Sequence, residues 1–381
     1  MKNIKRLIKK NLVYIAVILL LVVLVVFNLQ KNQQKEKAQS ESSTAAYDAD
    51  QEKYEWEITE VAGNLEVPWD MALLPNKDIF ITERLGRLKL LARSGEVKTL
   101  ATLSKVASVG ESGLTGLGLH PDFSQNGYLY LQYTYREDGN LFNRVSRFTF
   151  KNDSLSNEQI ILDQLPGGNI HNGGRLRFGP DNKLWVLTGD GGQADLAQSM
   201  NSLGGKVLRI NDDGSNLEIF SLGHRNPQGL DFHPLTRQLV VTEHGQAAYD
   251  EISLIKQGGN YGWPIVKKCY SDDPQYTSPI LCSGEQTWAP SGAAFLGNSL
   301  FFAGLRGQLL ERVEIIDGQV ENRETIIKDT YGRLRGVLAD PKEGVLYVST
   351  SNRDGRGNPK SNDDKILKIR PVQSATKKPI N

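Results

Sequence analysis

Six stretches of the chain share one pattern, a polar turn followed by a short strand of mostly apolar residues. The first apolar residues of these six strands are Ile79, Leu129, Leu184, Leu239, Leu300 and Leu346. They are separated by 50, 55, 55, 61 and 46 positions. The turns are rich in Gly, Pro, Asn and Asp, and no long amphipathic helical pattern lies between them. The pattern predicts an all-β chain of six repeats, each the size of a four-stranded sheet.

Six such sheets, of about 53 residues each, predict a six-bladed β-propeller of four-stranded blades over residues 54–372. Each small sheet has two apolar faces that only its neighbours bury, and a closed ring leaves few exposed edges. Polar residues at the strand ends are therefore expected to meet at one mouth of the ring. In the repeats these ends carry Arg84, Asp190, Glu243, His244 and Arg306.

The N-terminus has a different pattern. Residues 12–27 are sixteen consecutive apolar residues, and five basic residues precede them. With its flanks this run is long enough to span a bilayer, and positive charge stays on the cytoplasmic side. We predict a single-pass membrane anchor over residues 1–30, with the propeller on the extracytoplasmic side; a cleaved signal peptide is the alternative. Residues 31–53 predict a flexible linker, and residues 373–381 a polar tail.

Composition and charge narrow the class of protein. The 381 residues are 39% hydrophobic and 23% charged, as in a globular protein with a sizeable core. The formal net charge is +1, and it becomes −4 without the five basic residues before the apolar run. The rest of the chain therefore offers no basic field for nucleic acid. The two cysteines, Cys269 and Cys282, either pair in an oxidising compartment or remain free thiols, and neither has metal-ligand spacing.

Several phrases occur in order along the chain, including VPWDMALLP, GESGLTGLGLHPDF, HNGGRLRFGPD, GHRNPQG and DEISLIKQGGNYGWP. Together they resemble the soluble aldose dehydrogenases that depend on pyrroloquinoline quinone (PQQ), the glucose/sorbosone dehydrogenase family. The resemblance covers residues 67–369 and leaves out the predicted anchor. It implies a six-bladed propeller that oxidises the C1 hydroxyl of an aldose sugar to a lactone. It also implies an electron acceptor, either a quinone or a soluble carrier.

The resemblance makes His171, in HNGGR, the base that removes the proton of the anomeric hydroxyl while hydride passes to the quinone. Hydride leaves an alcohol readily only if the proton is removed, and neutral imidazole suits this step near pH 7. The alternative is a loop histidine bonded to backbone carbonyls. The resemblance also places Arg225 and Asn226, in GHRNPQG, against the quinone, where Arg225 stabilises the developing charge. For Arg225 the alternative is a turn residue held by a salt bridge.

The three carboxylates of PQQ require several fixed cations. By resemblance, Arg306, Arg333 and Arg335 lie near these carboxylates. Strand alternation puts Arg333 and Arg335 on the same side of an extended segment, as two-point binding of an anion requires. A solvated surface pair is the alternative interpretation of these two arginines.

Calcium also follows from the resemblance, both at the quinone and at a structural site nearby. A hard cation with oxygen ligands polarises the quinone and neutralises carboxylate charge. The expected ligands are the carbonyl groups of Gly245 and Gln246, together with Glu251 and Tyr261. For Asp250 and Glu251 the alternative is an acidic pair that caps a loop.

Three residues of the predicted site depart from the family pattern. Glu111, within the predicted cofactor pocket, replaces glutamine, and its carboxylate would repel PQQ unless protonated or paired. Gln246 replaces proline, and Arg306 replaces lysine. Two other functions remain open. One is a non-catalytic extracytoplasmic propeller that binds carbohydrate or protein, which Glu111 favours. The other is a calcium-dependent lactonase, which needs acidic and asparagine side chains converging on its metal.

Overall fold

The computed structural model describes residues 54–373, of which Trp56–Pro371 form one compact unit. Six antiparallel sheets in this unit are arranged as the blades of a ring. The predicted anchor and linker, and the tail beyond residue 373, lie outside the described residues. Residues 54–373 include no helix with the length and hydrophobicity that a bilayer crossing requires.

The strands of the described residues are numbered in chain order. They are β1 (Tyr54–Ala62), β2 (Pro68–Leu73), β3 (Ile79–Glu83), β4 (Arg87–Leu91), β5 (Val97–Thr102), β6 (Leu114–Leu119), β7 (Tyr128–Glu137), β8 (Asn140–Lys151), β9 (Ser154–Pro166), β10 (Gly173–Phe178), β11 (Leu184–Thr188), β12 (Lys206–Ile210), β13 (Glu218–Leu222), β14 (Pro227–Phe232), β15 (Leu239–Glu243), β16 (Glu251–Leu254), β17 (Gly259–Asn260), β18 (Leu281–Cys282), β19 (Pro290–Leu296), β20 (Ser299–Gly304), β21 (Leu309–Ile316), β22 (Gln319–Lys328), β23 (Leu334–Asp340), β24 (Val345–Thr350) and β25 (Ile366–Gln373). A helical turn, α1 (Phe123–Asn126), and a 3₁₀ turn (Ala194–Ala197) lie between strands.

The blades follow the chain almost in order. Five of them are β2 to β5, β6 to β9, β10 to β13, β14 to β16 with β18, and β19 to β22. The sixth combines β23, β24 and β25 with β1, so the first strand closes the ring as the outer strand of the last blade. Strand β17 adds two residues, parallel to β13. The inner strands β2, β6, β10, β14, β19 and β23 contact one another in this order, and β23 contacts β2. The prediction of a six-bladed propeller with four-stranded blades is confirmed.

Apolar side chains fill the space between every two neighbouring blades, in six separate clusters. The six marker residues of the sequence pattern all lie at the start of the second strand of their blade. Four of these second strands, β3, β11, β15 and β20, consist entirely of buried residues. Burial on both faces produces the short apolar runs that made the repeat visible in the sequence.

Each of the six inner strands has a β-bulge near its beginning, where its register against the second strand shifts. A bulge re-aims a side chain away from the regular ladder. The bulges contain Trp69, Arg175, Gln228, Ser291 and Arg335. Arg175 Nε donates to the carbonyl of Gln228 at 2.9 Å, and Ser291 Oγ donates to Gln228 Oε1 at 3.2 Å. The Arg175 guanidinium lies 4.3 Å from the Trp69 ring centroid. The bulge residues of different inner strands therefore contact one another near the axis of the ring.

Candidate functional site

A cavity of about 510 Å³ opens at the edge of the ring where inner strands begin and second strands end. A smaller cavity of about 140 Å³ adjoins it and shares part of its lining. Six arginines line the two cavities: Arg84, Arg225, Arg306, Arg333, Arg335 and Arg356. Three carboxylates line them: Glu111, Asp250 and Asp354. The net charge of these nine groups is +3, so the site favours a ligand with several negative charges.

His171 lies in the loop between β9 and β10, and its imidazole lines the larger cavity. Its Nδ1–H donates to Asp190 Oδ1 at 2.8 Å. Because an ionised carboxylate only accepts, this bond assigns the proton to Nδ1 and leaves a lone pair on Nε2. Asp190 is fixed in turn by the N–H of Gly192 at 2.7 Å and by Trp263 Nε1–H at 2.9 Å. The ring is bonded to a carboxylate and not to a backbone carbonyl, which is the arrangement a general base needs.

The backbone of His171 has a φ of +57°, in the left-handed region. A residue other than glycine adopts such a conformation at a cost of roughly 1 to 3 kcal/mol, and only where its surroundings enforce it. Here the His171 N–H donates to Glu111 Oε2 at 3.0 Å, and the His171 carbonyl accepts from the Gly191 N–H at 2.9 Å. Both neighbouring loops therefore hold the peptide that carries the imidazole.

Arg225 and Asn226 directly precede β14 and line the larger cavity. The Arg225 guanidinium lies 5.3 Å from the Trp263 ring centroid, and its Nε is buried without a hydrogen-bond partner. Within residues 54–373 no carboxylate forms an ion pair with Arg225, so the salt-bridge alternative has no support. Burial lowers its pKa. Asn226 Oδ1 accepts the Gly173 N–H at 3.1 Å, while its buried Nδ2 has no partner.

A buried network holds the backbone of these two residues. Glu243 Oε1 accepts both N–H groups, from Arg225 and from Asn226. Glu243 Oε2 accepts from His224 Nδ1–H at 2.8 Å, and Ser221 Oγ donates to His224 Nε2 at 2.8 Å. Ser221, His224 and Glu243 resemble a hydrolytic triad in geometry, but Ser221 and His224 are fully buried and line neither cavity. The network therefore positions the arginine and asparagine and has no substrate of its own.

Arg333 and Arg335 share one carboxylate. Arg333 Nε lies 2.9 Å from Asp354 Oδ2, and Arg335 Nη2 lies 3.4 Å from the same oxygen. The two residues are only 8% and 6% exposed, so the alternative of a solvated surface pair is wrong. Arg333 lines the larger cavity and Arg335 the smaller one. Burial lowers the pKa of Arg335 to about 10, although the charge of Asp354 opposes this shift.

Arg306 follows β20 and is exposed at the lining of the larger cavity. It forms no ion pair with any residue in the described part of the chain. His244 lines both cavities, and its Nε2 is buried without a partner. Burial lowers the pKa of His244 to about 4, so this ring is neutral at pH 7. Three buried donors, on Arg84, Arg225 and Asn226, are thus unpaired around these cavities, and so is the Nε2 atom of His244.

Glu111 lines both cavities, but its carboxylate is paired. Oε2 accepts the His171 N–H, and Oε1 accepts from Arg356 Nη1 at 2.7 Å. Burial alone would raise the pKa of Glu111, but these two donors help to hold it below its ordinary value. The sequence requires the Glu111 carboxylate to be either protonated or paired. In the structure it is paired.

The residues predicted as calcium ligands line a third cavity, of about 20 Å³, which is large enough for one ion or water. Gly245 and Gln246 line this third cavity and also the cavity of about 510 Å³, whereas Glu251 and Tyr261 line only the third cavity. Burial, followed by the charges of Glu243 and Asp250, raises the pKa of Glu251 well above its ordinary value. A cation would relieve this repulsion. The four predicted ligands would supply oxygen atoms, which hard cations prefer.

Asp250 caps a loop, which is the role that the alternative interpretation gave to Asp250 and Glu251. Its carboxylate accepts the N–H groups of Gly245, Trp288 and Ala289 at 2.6 to 2.9 Å. The hydroxyl of Tyr261 is also engaged, since it donates to the Leu254 carbonyl at 2.6 Å. Within residues 54–373 no three His, Cys, Asp or Glu side chains converge as a metal site would require.

Cys269 and Cys282 form a disulfide bond, so the alternative of two free thiols is wrong. The bond closes the segment that follows Tyr261 and Trp263, two residues that line the smallest cavity. A disulfide of this kind is typical of proteins that fold in an oxidising compartment.

Sequence reasoning placed Asp190 and His244 at the mouth without giving them a role. It missed Asp354 and Arg356, which follow the second strand of the last repeat, β24. The rule that strand ends of the repeats face the mouth would have found these two residues, had it been applied to that strand. No sequence signal indicated that Trp263 would bond Asp190.

The chain is similar to several known proteins. The profile of the glucose/sorbosone dehydrogenase family matches residues 65–359. Aldose sugar dehydrogenase of Escherichia coli K12 is 30% identical over 331 residues, which are 76% of this chain and 89% of that protein. Quinoprotein glucose dehydrogenase B of Acinetobacter calcoaceticus is 36% identical over 258 residues, 57% of this chain and 54% of its own length. The PQQ-bound structure of Streptomyces coelicolor aldose sugar dehydrogenase is 33% identical, with a TM-score of 0.78 over 84% of this chain and 99% of that one.

Proposed function

Because the chain belongs to the glucose/sorbosone dehydrogenase family, we propose that it is a PQQ-dependent enzyme that oxidises the C1 hydroxyl of aldose sugars to lactones. One observation carries the proposal. An imidazole oriented by a carboxylate lines one of two adjoining cavities, and the arginines of the two linings exceed the carboxylates by three. The substrate class rests on the related dehydrogenases, whose names specify glucose or aldose sugars.

The cavities fit PQQ in charge and in hydrogen bonding. Its three carboxylates match the net charge of +3, and its oxygen atoms would accept from the three unpaired donors on Arg84, Arg225 and Asn226. Arg306, Arg333 and Arg335 would hold the carboxylates, and Arg225 and Asn226 would face the quinone. When bound, PQQ supplies an ortho-quinone that accepts the hydride equivalent released from C1 of the sugar.

The protein's own part in the reaction is to move and hold a proton. His171 Nε2 takes the proton of the anomeric hydroxyl, and the resulting imidazolium is stabilised by Asp190 across the 2.8 Å hydrogen bond. Arg225 offers its unpaired Nε–H to negative charge that develops in the cavity. His244 is neutral at pH 7 and adds a donor without adding charge.

We further propose that Ca²⁺ is bound between the largest and the smallest cavity. The carbonyl oxygens of Gly245 and Gln246 would face the cofactor, and Glu251 would supply a carboxylate on the other side. Tyr261 would bind the cation through its peptide carbonyl, because its hydroxyl is engaged with the Leu254 carbonyl. The cation would lower the pKa of Glu251 and polarise any bound quinone oxygen.

The function is tested by reconstituting purified full-length protein with PQQ, with and without CaCl₂, and following reduction of an artificial dye with a panel of aldoses. We expect saturable PQQ binding at one site per chain, dye reduction that depends on the sugar, and loss of activity after removal of calcium. Protein that binds sugars but shows neither PQQ binding nor turnover would instead be the non-catalytic binding propeller.

We also propose that residues 1–30 anchor the enzyme in the cytoplasmic membrane, with the propeller outside it, because the apolar run follows five basic residues. Cys269 and Cys282 are paired, which agrees with that side of the membrane. Cell fractionation should recover the full-length chain with membranes, and external protease should digest the propeller in spheroplasts. Recovery of a shortened chain in the soluble fraction would indicate that the segment is removed.

A further inference from the structure

Glu111 joins the loop before β6 to the loop that carries His171. Its own N–H donates to the Asn169 carbonyl at 2.8 Å, and its Oε2 accepts the His171 N–H at 3.0 Å. The two loops are so close at this point that a Cβ on Gly110, which has a φ of +60°, would lie 2.4 Å from the Asn169 oxygen. The carboxylate therefore completes a tight junction beside the proposed base.

The His171 N–H bond supports a peptide that is strained. The left-handed φ of His171 is maintained by Glu111 on the N–H side and by Gly191 on the carbonyl side. Without the Glu111 oxygen, one of these two supports is lost and the peptide can relax. The imidazole would then move relative to Asp190, which belongs to a different loop.

Arg356 supports the carboxylate from the last blade, in the loop that follows β24. Its Nη1 donates to Glu111 Oε1 at 2.7 Å, across a sequence separation of 245 residues. The backbone N–H of Arg356 donates to Asp354 Oδ1 at 2.9 Å, and Asp354 Oδ2 binds Arg333 and Arg335. One chain of contacts thus links the base to the arginines proposed to hold the cofactor.

The pair explains why a carboxylate is suitable at this position. A glutamine side chain has one acceptor oxygen and one amide nitrogen. If the oxygen of a glutamine in place of Glu111 accepted the His171 N–H, its amide N–H groups would face the Arg356 guanidinium, donor against donor. Glutamate has an acceptor for each partner. The pair is also neutral overall, so it leaves the excess of positive charge in the cavities unchanged.

From this geometry we propose that Glu111 is a positioning residue for His171, and that Arg356 holds its carboxylate in place. The inference rests on the function proposed above. In this role Glu111 acts through the backbone of the base, since one of its oxygens accepts the His171 N–H and the other is held by Arg356.

The test measures dye reduction and PQQ affinity of the full-length protein loaded with PQQ and Ca²⁺. Glu111→Ala is expected to lower kcat between about 10-fold and about 100-fold, because small displacements of a reacting group have effects of this size. Its KM for the sugar and its PQQ dissociation constant, from calorimetry on apo-protein, should stay within about 3-fold of wild type. Lys98→Gln removes another ion pair between blades, from β5 to Asp153 in the turn between β8 and β9 at 2.7 Å, and serves as the matched control with unchanged kcat.

The role of Arg356 is tested by rescue. Glu111→Gln should lower kcat, since its amide opposes the guanidinium. The double variant Glu111→Gln/Arg356→Gln should recover most of that loss, because two facing amides can bond each other. Melting temperatures within a few degrees of wild type, on the order expected for surface changes, establish that the variants are folded.

The outcomes separate the inference from the proposed function. An active wild type with an equally active Glu111→Ala variant overturns the inference alone. A Glu111→Ala variant whose PQQ affinity falls as much as its kcat makes Glu111 a cofactor ligand and also overturns it. A double variant no better than Glu111→Gln overturns the role of Arg356. A wild type that neither binds PQQ nor reduces dye overturns the proposed function and this inference with it.

Discussion

Replacement of His171 by alanine is expected to lower kcat for aldose oxidation by about 1,000-fold, within the range that general base catalysis supplies. PQQ affinity should stay within about 3-fold of wild type, because the arginines proposed to hold its carboxylates remain in place. The imidazole is the group with a free lone pair that is oriented by a carboxylate in the cavity. The measurement is steady-state dye reduction on the reconstituted enzyme, together with calorimetric titration of PQQ.

Two further measurements sharpen this prediction. His120→Ala is the matched control, since His120 lies in the turn between β6 and β7, lines none of the three cavities described above and should leave kcat unchanged. Added imidazole should restore part of the activity of the alanine variant, because a small base can enter the space left by the ring. A His171→Ala variant with more than a tenth of wild-type kcat would rule out His171 as the base.

The second large effect is expected at Asp190. Asp190→Asn should lower kcat roughly 10-fold to 100-fold, the value of a hydrogen bond to a charged group. The asparagine oxygen can still accept from His171 Nδ1–H and from the Gly192 N–H, so the tautomer of the base is kept. Two things are lost: the negative charge that stabilises the imidazolium, and the acceptor for Trp263 Nε1–H, which then faces an amide N–H.

The opposed donors provide a control within the same site. In the Asp190→Asn background, Trp263→Phe removes the indole N–H, keeps an aromatic ring beside Arg225 and should recover a part of the lost activity. In the wild-type background the same change should only lower kcat, since it removes a bond that fixes Asp190. Wild-type activity in Asp190→Asn would show that the charge of Asp190 does not contribute to catalysis.

The architecture was predictable because its strongest signal is local. The second strands of the blades, such as β3 and β11, are short apolar runs next to polar turns, and their spacing gives the number of blades. Outer strands carry a weaker signal, since β5 and β22 contain many exposed residues. The pairing of β1 with β25 joins the first and the last strand of the described chain, and no local sequence pattern indicates it.

The site was predictable in its residue types and less so in its contacts. Family phrases led to His171, Arg225 and the other proposed binding residues, and the structure brings most of them to one pair of adjoining cavities. The bond from His171 to Asp190 depends on two loops of one blade, and the bond from Glu111 to Arg356 on loops of different blades. Such contacts follow from the closed ring, which sequence spacing does not describe.

The six bulges of the inner strands divide each blade into a part that packs against its neighbours and a part that faces the mouth. Beyond the bulge, the strands pack into the apolar clusters between blades, where a change of side-chain volume is costly. On the mouth side, the released residues contact one another or the cavity. Substitutions of mouth residues are therefore expected to leave the interfaces that keep the ring closed undisturbed. The chemistry of the mouth can in this way change while the scaffold stays the same.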